Sequence, residues 1–392
     1  MKLMTEQKQA INSVGLFTDS FTPMVDGVAT VVESSAFQMY LRNIQVCVVA
    51  PSCGHAKREP FDVLRYPSFL FSTRRQYRSN LPFAERYIAN QLKNRRLEIV
   101  HAHSPFFSGK VALKFAKEHK IPLVATFHSK FKDNLKQIIP SEFIVNQAIK
   151  TIIRFFEQAD EVWIPQASVE QTMREYGYRG KVEVVENGCY YVPPADIASL
   201  KAEVRKKLGI LSEETVYLFV GQHIYEKNVK LILDSLAKID KQTYRMLFVG
   251  TGYAEKDFRK LACELNIDDR VEFVGLISDR RQLAEYYVAA DLFLFPSLYD
   301  TSAIVMKEAA AFATPSVVIK NSTIAENIID NRNGFLTENS VSSFAEKLIL
   351  LQKDKNKVAQ AGLAAQASLT RSWADITDEL TERYASLIAR NA

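Results

Sequence analysis

The stretch Pro296–Val318 reads PSLYDTSAIVMKEAAAFATPSVV and predicts a loop that enters a helix. It follows the apolar run Leu292–Phe295, which is typical of a buried strand. Asp300 lies in the loop and Glu308 on the predicted helix, so both carboxylates can face one cleft. The backbone N–H groups at the start of such a helix suit a phosphate. Standing alone, the two carboxylates are better explained as solvated surface charges.

The spacing of these carboxylates resembles the donor-binding signature of the retaining family 4 glycosyltransferases. In that signature an acidic residue is separated by seven residues from a Glu, and an alanine-rich helix leads to a Thr-Pro pair, here Thr314-Pro315. The resemblance implies that Glu308 binds the ribose of a nucleotide sugar and that Asp300 faces the transferred hexose. The family usually has Glu in the first position and Gly shortly after it, where this chain has Asp300 and Ala303. Donor-binding backbone N–H groups are implied at Ser302, Ala303 and Ile304.

The length of the chain favours two domains. At 392 residues it exceeds the size that one hydrophobic core usually serves, which is roughly 250 to 300 residues. A hydrophobic content of 47% and a charged content of 24% are those of an ordinary globular protein.

Hydropathy and cysteine spacing indicate the compartment. No apolar run approaches the roughly 18 to 20 residues of a membrane span, and Met1–Ser13 is too polar for the core of a signal peptide. The cysteines are scattered, which argues against a zinc site and against a disulfide framework. They are Cys47, Cys53, Cys189 and Cys263. We therefore expect a cytoplasmic protein with reduced thiols.

Charge is distributed unevenly around the net value of +5. Between Arg74 and Lys136, fourteen Lys or Arg residues stand against four acidic ones. The arginine-rich start of this segment, Ser72–Asn80, predicts a loop. The excess fits either a solubilising surface or an attraction for anionic lipid or a polyanionic acceptor. Nucleic acid is not favoured as a partner, because no binding motif or aromatic stripe accompanies the charge.

The first strand and its turn predict the start of a doubly wound domain. Ser13–Thr18 is a short apolar strand, and the chain then turns through Pro23 and Gly27 into a helix. A turn at Gly27 brings backbone close to a diphosphate, because no side chain intervenes. The resembling family has a Gly here beside the donor phosphates, which makes Gly27 a donor-binding candidate.

Three histidines follow strands of the first half, where strands and helices alternate. This alternation predicts a parallel sheet, and ligands of such sheets lie beyond the carboxyl ends of the strands. His101 and His103 follow the strand Leu97–Val100, and His128 follows Pro122–Thr126. For His101 and His103 a structural role is as well supported as a functional one. The segment VATFH resembles the family segment whose His lies beside donor sugar and acceptor, which implies a catalytic role for His128 alone.

The segment Ser141–Phe156 predicts an amphipathic helix, because its apolar residues recur at helical spacing and Ser141 is a good N-cap. The most direct interpretation is a helix packed on the core. The alternative is a face that touches an anionic membrane together with the basic residues Lys130, Lys132 and Lys136.

The pair Pro193-Pro194 predicts a linker over Tyr190–Asp196, because paired prolines disfavour both helix and central strand. We place an N-terminal, acceptor-side domain at 1–192 and a C-terminal, nucleotide-sugar domain at 193–372. The segment 373–392 predicts an amphipathic helix that packs back on the first domain.

The strand Thr215–Val220 leads into the segment GQHIYEKN at Gly221–Asn228. This segment resembles the family motif in which an Arg and, five residues later, a Lys hold the donor diphosphate. Lys227 stands at the Lys position, whereas Gln222 stands where Arg is usual. The exchange removes a bidentate charged partner for phosphate. His223 is a candidate to compensate for it in part.

The resemblance covers nearly the whole chain. It places Ile277 where the backbone of the family meets the nucleotide base. The implied fold is GT-B, in which two Rossmann-like doubly wound α/β domains face each other across a cleft and the C-terminal helix crosses back to the first domain.

The implied activity is transfer of a hexosyl group, glucosyl in the favoured case, from a nucleotide sugar with retained anomeric configuration. The favoured donor is a UDP-sugar. No cofactor and no metal are expected, because no DxD motif is present and GT-B members generally need none. The acceptor is a lipid or a cell-envelope glycan, since the family includes diacylglycerol glucosyltransferases. Peripheral contact with the inner face of an anionic membrane would follow from a lipid acceptor.

Two other functions remain open. A catalytically weak GT-B subunit that binds another glycosyltransferase is suggested by Gln222 and Ala303. A nucleotide-sugar epimerase with the GT-B fold is less favoured, because such epimerases resemble other families.

Overall fold

The computed structural model describes residues 11–54, 58–72, 77–136, 138–211 and 213–391. The chain forms two compact units, one of Met1–Gly188 with Trp373–Ala392 and one of Cys189–Ser372. Each unit has its own parallel sheet and its own apolar core, as expected for a chain of this length. The four cysteines are free thiols, as their scattered spacing predicts. Most of the polar leader Met1–Ser13 lies outside the described residues.

The first unit alternates strands and helices, which confirms the predicted fold class. Its strands are β1 Ser13–Phe17, β2 Gln45–Pro51, β3 Asp62–Tyr66, β4 Ser68–Ser72, β5 Tyr77–Asn80, β6 Ile99–Ala102, β7 Leu123–Thr126, β8 Glu161–Ile164 and β9 Glu183–Val184. Its helices, before the last helix of the chain, are α1 Gly27–Leu41, α2 Ala84–Leu92, α3 Phe107–His119, α4 Phe131–Lys136, α5 Glu142–Phe156 and α6 Val169–Tyr176.

The sheet of the first unit is parallel and has the strand order β3-β2-β1-β6-β7-β8-β9. The order reverses at β1, where Leu16 pairs with Val48 of β2 and with His101 of β6. Strands this apolar are expected when helices cover both faces of a sheet. The reversal leaves a crevice at the carboxyl ends of β1 and β6, which is where doubly wound folds bind ligands.

A separate antiparallel hairpin is formed by β4 and β5. The prediction of a loop over Ser72–Asn80 is therefore wrong for Ser72, which ends β4, and for Tyr77–Asn80, while residues 73–76 lie outside the described residues. The segment Tyr77–Asn80 has no apolar alternation, so nothing in its sequence indicates a strand. Cross-strand bonds stabilise it instead, since Arg78 Nε donates to Ser68 Oγ at 2.9 Å.

The second unit repeats the alternation. Its strands are β10 Thr215–Val220, β11 Tyr244–Val249, β12 Val271–Gly275, β13 Leu292–Leu294, β14 Ser316–Ile319 and β15 Phe335–Thr337. Its helices are α7 Ile197–Lys207, α8 Val229–Leu236, α9 Glu255–Glu264, α10 Arg280–Ala289, α11 Ile304–Ala311, α12 Val341–Lys353 and α13 Lys355–Leu369.

The second sheet is parallel and has the order β12-β11-β10-β13-β14-β15. Its order reverses at β10, which pairs with β11 on one side and β13 on the other. A second crevice therefore lies at the carboxyl ends of β10 and β13. The segments GQHIYEKN and PSLYDTSA follow these two strands directly.

The sequence analysis did not identify helix α7, of which Val204 is the only fully buried residue. Ion pairs hold this helix against the start of β13. Lys201 Nζ lies 2.8 Å from Asp291 Oδ1, and Arg205 Nη2 lies 2.5 Å from Asp291 Oδ2. Asp291 also accepts the backbone N–H of Val216 at 2.8 Å, so the same carboxylate fixes α7 and the edge of β10.

The last helix, α14 Trp373–Asn391, belongs to the first unit and packs against α1. Trp373, Leu380 and Tyr384 are buried on its inner face. Arg42, the C-cap of α1, donates to Asp378 at 2.7 Å. The expectation that the C-terminal helix crosses back to the first domain is confirmed.

Candidate functional site

The loop after β13 leads into α11 without a capping side chain. Ala303 occupies the N-cap position and has no side-chain oxygen, so it cannot satisfy the first N–H groups of the helix. Ser302 and Ala303 are half-buried, and Ile304 is the first helical residue. This end of α11 therefore presents the positive pole that was predicted to lie near phosphate and sugar.

Lys227 and Asp300 form an ion pair at the crevice of the second sheet. Lys227 ends a short 3-10 helix, Tyr225–Lys227, that follows β10. Its Nζ is 2.5 Å from Asp300 Oδ1. The ring centroids of Phe295 and Tyr299 lie 5.3 and 5.9 Å from the same Nζ. Asp300 Oδ2 is buried and has no hydrogen-bond partner in the described part of the chain. The two residues predicted to hold diphosphate and hexose thus lie in direct contact.

Gln222 is exposed, whereas its neighbour His223 is not accessible at all. His223 Nδ1 lies 3.2 Å from Glu255 Oε2, and the ring packs near Phe248 and Phe273. Burial lowers the pKa of His223, so the ring is neutral at pH 7. The suggestion that His223 compensates for the missing Arg is therefore wrong, because its side chain belongs to the core.

The turn Gly250-Thr251-Gly252 packs against the backbone of the loop Gly221–His223. Gly250 has φ +126°, and a Cβ on it would lie 2.0 Å from the carbonyl oxygen of Gly221. The backbone N–H of His223 donates to Thr251 O at 3.0 Å. These glycines are explained by the close approach of two backbones, and no nucleotide is needed to account for them.

Glu308 is buried on α11, and its carboxylate accepts hydrogen bonds from two side chains of α10. Arg280 Nη1 donates to Oε1 at 3.1 Å, and the Tyr287 hydroxyl donates to Oε2 at 2.8 Å. Burial raises the pKa of Glu308, and the nearby Arg280 guanidinium opposes that rise. Arg280 also lies over the ring of the exposed Tyr190, with 4.4 Å between Cζ and the ring centroid.

Ile277 lies two residues beyond the end of β12. It is half-buried and packs against the core, while Leu276 beside it is 52% exposed. Gly275 ends the strand at φ +89°, a conformation that favours glycine. The chain therefore turns at Gly275, just before the residue that was predicted to meet the base.

In the first unit, Gly27 is the first residue of α1. An added Cβ would meet open space, so packing within the protein does not require a glycine. Asp26 caps the helix, because its Oδ1 accepts the N–H of Ala29 at 2.8 Å. This carboxylate occupies the helix end that a diphosphate would use, so the predicted donor-binding role of Gly27 rests on its backbone alone.

His128 is half-buried just after β7 and touches His103. His103 Nδ1 and His128 Nε2 are 3.0 Å apart, and the two rings are stacked. Burial lowers the pKa of His128 to about 4 and that of His103 well below its usual value. Both imidazoles are therefore neutral at pH 7, and each can donate or accept a hydrogen bond without carrying charge.

His101 has a structural role. It lies within β6, is 2% exposed, and bonds Tyr384 through Nδ1 at 2.5 Å and Thr126 through Nε2 at 2.6 Å. Both ring nitrogens are thus used inside the protein.

Asp19, which follows β1 closely, was missed by the sequence analysis. Its Oδ1 accepts the Tyr66 hydroxyl at 2.6 Å and the N–H of Ser108 at 3.0 Å, and burial raises its pKa. Its Oδ2 is buried without a hydrogen-bond partner among the described residues. A carboxylate directly beyond the first strand of a doubly wound sheet is the signal that would have found it.

Two family descriptions match the chain, one for each half. Residues 25–189 match "Glycosyltransferase Family 4", and residues 201–368 match "Glycosyl transferases group 1". The chain belongs to the family 4 glycosyltransferases. The enzyme is a hexosyltransferase, and the predicted GT-B fold is confirmed.

This glycosyltransferase is similar to two curated proteins named alpha-monoglucosyldiacylglycerol synthase. The one from Streptococcus pneumoniae is 29% identical over 337 residues, which cover 82% of this chain and 74% of the relative. The one from Acholeplasma laidlawii is 24% identical over 336 residues, which cover 82% and 83%. Among solved structures, Anabaena HepE, crystallised with UDP and glucose, has a TM-score of 0.77 at 19% identity and covers 96% of this chain and 100% of its own.

The surroundings of Glu308 contain residues that the sequence analysis did not single out. Arg280 and Tyr287 precede the signature in the sequence, and their relation to Glu308 depends on how α10 packs on α11. In the described ranges, no group of three or more His, Cys, Asp or Glu side chains is arranged to hold a metal ion. None of the helices there is both long and apolar enough to cross a membrane.

Proposed function

We propose that this hexosyltransferase moves a glucosyl group from a uridine nucleotide sugar to a diacylglycerol-type lipid, with retention of the anomeric configuration. The lipid acceptor is supported by the names of the two relatives, which are 29% and 24% identical to this chain. The uridine donor and the retained configuration rest on the motif resemblance around Glu308. A cell-envelope glycan is the second acceptor class.

The observation that carries the proposal is the cluster at the crevice of the second sheet. A half-buried cation, a half-buried carboxylate and the N-terminus of a helix follow the ends of β10 and β13, at Lys227, Asp300 and Ile304. A sugar diphosphate needs such cationic and N–H groups at its phosphates, and it needs a carboxylate near the hexose.

The residues divide the chemistry between them. Glu308 accepts hydrogen bonds from the ribose hydroxyls. Lys227 and the N-terminus of α11 neutralise the negative charge of the departing diphosphate. The bond from the anomeric carbon to the phosphate oxygen breaks, and a bond to the acceptor oxygen forms on the same face of the sugar. The acceptor proton leaves with the diphosphate. Asp300 serves the sugar, whose oxocarbenium-like transition state responds to nearby charge. A catalytic role for His128 is proposed on the resemblance of the segment VATFH alone. We expect no metal requirement, which assays with and without a chelator test.

A lipid acceptor requires contact with a membrane surface. Helix α5 buries Val145 and Ile149 against the core and exposes Phe143 and Ile144, which are 72% and 53% accessible. Lys136 lies close to the start of this helix, within the basic segment of the chain. A basic surface with exposed apolar side chains suits anionic lipid. We therefore place the enzyme peripherally on the cytoplasmic face of the membrane.

The test is transfer by the purified full chain. It would be incubated with UDP-glucose, UDP-galactose or GDP-mannose and with diacylglycerol in micelles containing anionic lipid, and the lipid product would be separated and its anomeric proton coupling measured. We expect an α-linked glucolipid from UDP-glucose, and Glu308→Gln should form far less of it. A β-linked product would contradict retention.

The alternative of a catalytically weak subunit rests on the exposed Gln222 at the position of the usual Arg. Absence of donor binding at millimolar nucleotide sugar would favour that alternative. Donor binding and hydrolysis without transfer to lipid would instead point to a glycan acceptor, which a screen of envelope saccharides would then identify.

A further inference from the structure

The carboxylate of Glu308 lies among aromatic side chains of the second unit. Glu308 is 3% exposed, and Tyr287, which donates to its Oε2 at 2.8 Å, is fully buried. The rings of Tyr191 and Phe312 pack near the ring of Tyr287, with centroid distances of 6.0 and 6.2 Å. Aromatic rings do not replace the water that solvates a carboxylate, so Glu308 depends on the hydrogen-bond donors that reach it.

Arg280 supplies a positive charge in contact with this carboxylate. Its Nη1 donates to Glu308 Oε1 at 3.1 Å, so Arg280 and Tyr287 each hold one of the two oxygens. A guanidinium is planar and directs its N–H groups in a fixed fork. The last torsion of a Glu side chain is otherwise broad. The two bonds together therefore fix the plane of the Glu308 carboxylate.

Arg280 is in turn held by two tyrosines at the start of the second unit. Its Cζ lies 4.4 Å from the ring centroid of Tyr190, and its backbone carbonyl accepts the hydroxyl of Tyr191 at 2.8 Å. Asp279, the residue before it, caps α10 through its side chain. Tyr190 is 53% exposed and still keeps its ring on the guanidinium, a contact that attracts a cation. The Arg280 side chain thus contacts an aromatic ring and a carboxylate at once.

We propose that Arg280 is a positioning residue that orients the Glu308 carboxylate for the ribose hydroxyls of the donor. The proposal rests on the proposed function of Glu308. Each carboxylate oxygen has a further lone pair beyond the one that its protein partner uses, and Arg280 and Tyr287 together set the direction of these lone pairs. The positive charge of Arg280 also favours the ionised form of Glu308, which is the stronger acceptor. Arg280 therefore acts on the donor through Glu308.

The first test measures Glu308 itself and needs no nucleotide. In the full chain labelled with ¹³C at glutamate Cδ, carboxyl signals shift on protonation, and the signal that disappears in Glu308→Gln belongs to Glu308. We expect Glu308 to titrate at a higher pH in Arg280→Gln than in the wild type, because the nearby positive charge is lost. An unchanged titration in Arg280→Gln would overturn the proposal.

A neighbouring arginine provides the control for charge. Arg281→Gln removes an equal charge from the next residue, which is exposed, and should leave the titration of Glu308 near its wild-type position. Other ionisable groups beside Glu308 do not titrate in the acidic range, because burial raises their pKa values. These groups are Cys189, Tyr191 and Tyr287.

The second test compares UDP with 2′,3′-dideoxy-UDP, which lacks both ribose hydroxyls. By isothermal titration we expect Arg280→Gln to weaken UDP binding roughly 10- to 100-fold and to leave dideoxy-UDP within about twofold of the wild type. Arg280→Lys keeps the charge and should recover part of the lost affinity, and Arg281→Gln should change neither affinity. Equal weakening of both nucleotides by Arg280→Gln would overturn the proposal, because orientation of Glu308 matters only to a nucleotide that has the hydroxyls.

The same titrations separate this inference from the proposed function. Equal binding of the two nucleotides by the wild type would refute ribose binding at Glu308. A preference for UDP that is present in the wild type and persists in Arg280→Gln would refute only the role of Arg280.

The ring over the guanidinium is tested by a pair of substitutions. Tyr190→Leu removes the ring and should weaken UDP binding roughly 2- to 5-fold. Tyr190→Phe keeps the ring and should bind UDP as the wild type does. Unchanged affinity in Tyr190→Leu would show that Tyr190 does not hold Arg280 in place.

Discussion

Glu308 holds two protein hydrogen bonds before any ligand arrives. Arg280 and Tyr287, two turns apart on α10, donate to its two oxygens. Each carboxylate oxygen can accept more than one hydrogen bond, so ribose hydroxyls can join these partners. Burial raises the pKa of Glu308, and the Arg280 guanidinium opposes that rise.

Glu308→Gln should weaken nucleotide-sugar binding, because the amide replaces one charged acceptor oxygen by a donor. Loss of a hydrogen bond to a charged group costs about 1.5 to 3 kcal/mol, or roughly 10- to 150-fold in Kd. Isothermal titration with UDP-glucose would measure it, and the exposed Glu346→Gln on α12 is the matched control. Glu308→Ala should also abolish binding, but it leaves Arg280 and Tyr287 unpartnered and so lowers stability as well. Unchanged affinity in Glu308→Gln would remove Glu308 from the donor site.

Asp300→Asn separates binding from turnover, because Asp300 competes with a diphosphate for Lys227. Freeing Lys227 should tighten binding of UDP alone up to roughly tenfold, while glucosyl transfer falls for lack of the carboxylate. Lys227→Ala should weaken UDP binding, and the exposed Lys230→Ala serves as control. Titration of UDP and single-turnover transfer would measure the two effects. Weaker UDP binding in Asp300→Asn would contradict the competition.

At the scale of elements, α14 is held to the first unit by one apolar face. Trp373 packs so closely on Gly188 that a Cβ there would lie 2.6 Å from the indole. Arg42 adds contacts to Asp378 and to the carbonyl of Ala374. Helix α14 thereby stabilises the unit that contains His128, although the helix and His128 are far apart in the sequence.

Leu380→Ala should destabilise the first unit, because it leaves a cavity under α14. Such changes cost about 2 to 5 kcal/mol, which corresponds to a fall in Tm of roughly 5 to 15 °C for a unit of this size. Fluorescence of the two tryptophans, Trp163 and Trp373, would report it, since both lie in the first unit. Leu363→Ala, at a position 54% exposed on α13, should have little effect. Equal effects would show that α14 is not part of the core.

At the scale of the whole molecule, the pH dependence of stability differs between the units. His101, His103 and His128 lie in the first unit, and burial lowers the pKa of each. The unfolded chain therefore binds more protons than the folded chain below the ordinary pKa, about 6.5. The stability that the neutral rings provide is present above that pH and is lost as the pH falls toward the folded values.

The tryptophan fluorescence midpoint of the first unit should fall on acidification from about pH 7.5 to 5.5, because each of the three rings then costs about 1.4 kcal/mol. Together they correspond to roughly 8 to 16 °C in Tm. Most carboxylates titrate below this window. Between about pH 7.5 and 8.5 these rings do not titrate, so they should not change the midpoint. This interval is the internal control. A midpoint that is flat over both intervals would show that the three rings are not buried as described.

Charge predicts a salt-dependent attraction to membranes. Binding to vesicles with anionic lipid should fall steeply between about 0.05 and 0.5 M salt, because screening shortens the Debye length. Sedimentation of the protein with vesicles would measure it. The double substitution Phe143→Ser and Ile144→Ser should weaken the vesicle binding that remains at high salt. Leu350→Ser should not, since Leu350 is 63% exposed but lies in the second unit. Absent or salt-insensitive binding would remove the argument for a lipid surface.

The sequence by itself determined the fold class and the main elements of the candidate donor site. The apolar strands, the carboxylate spacing of the signature and the helix Glu142–Phe156 with its cap Ser141 were predictable, because periodicity and capping are local properties. The hairpin strand Tyr77–Asn80 was not predictable, because polar cross-strand bonds stabilise it. Helix α7 was missed, although Asp196 caps it and Ile197 and Leu200 pack on the core.

Only the tertiary structure decided which side chains meet. The pair Lys227–Asp300 joins residues 73 positions apart, and the bond between His103 and His128 joins residues 25 apart. The tertiary structure also buries the side chain of His223, although its neighbour Gln222 is exposed. Such contacts depend on the order of strands in each sheet and on how helices pack across it, and neither is encoded in the spacing of residues along one segment.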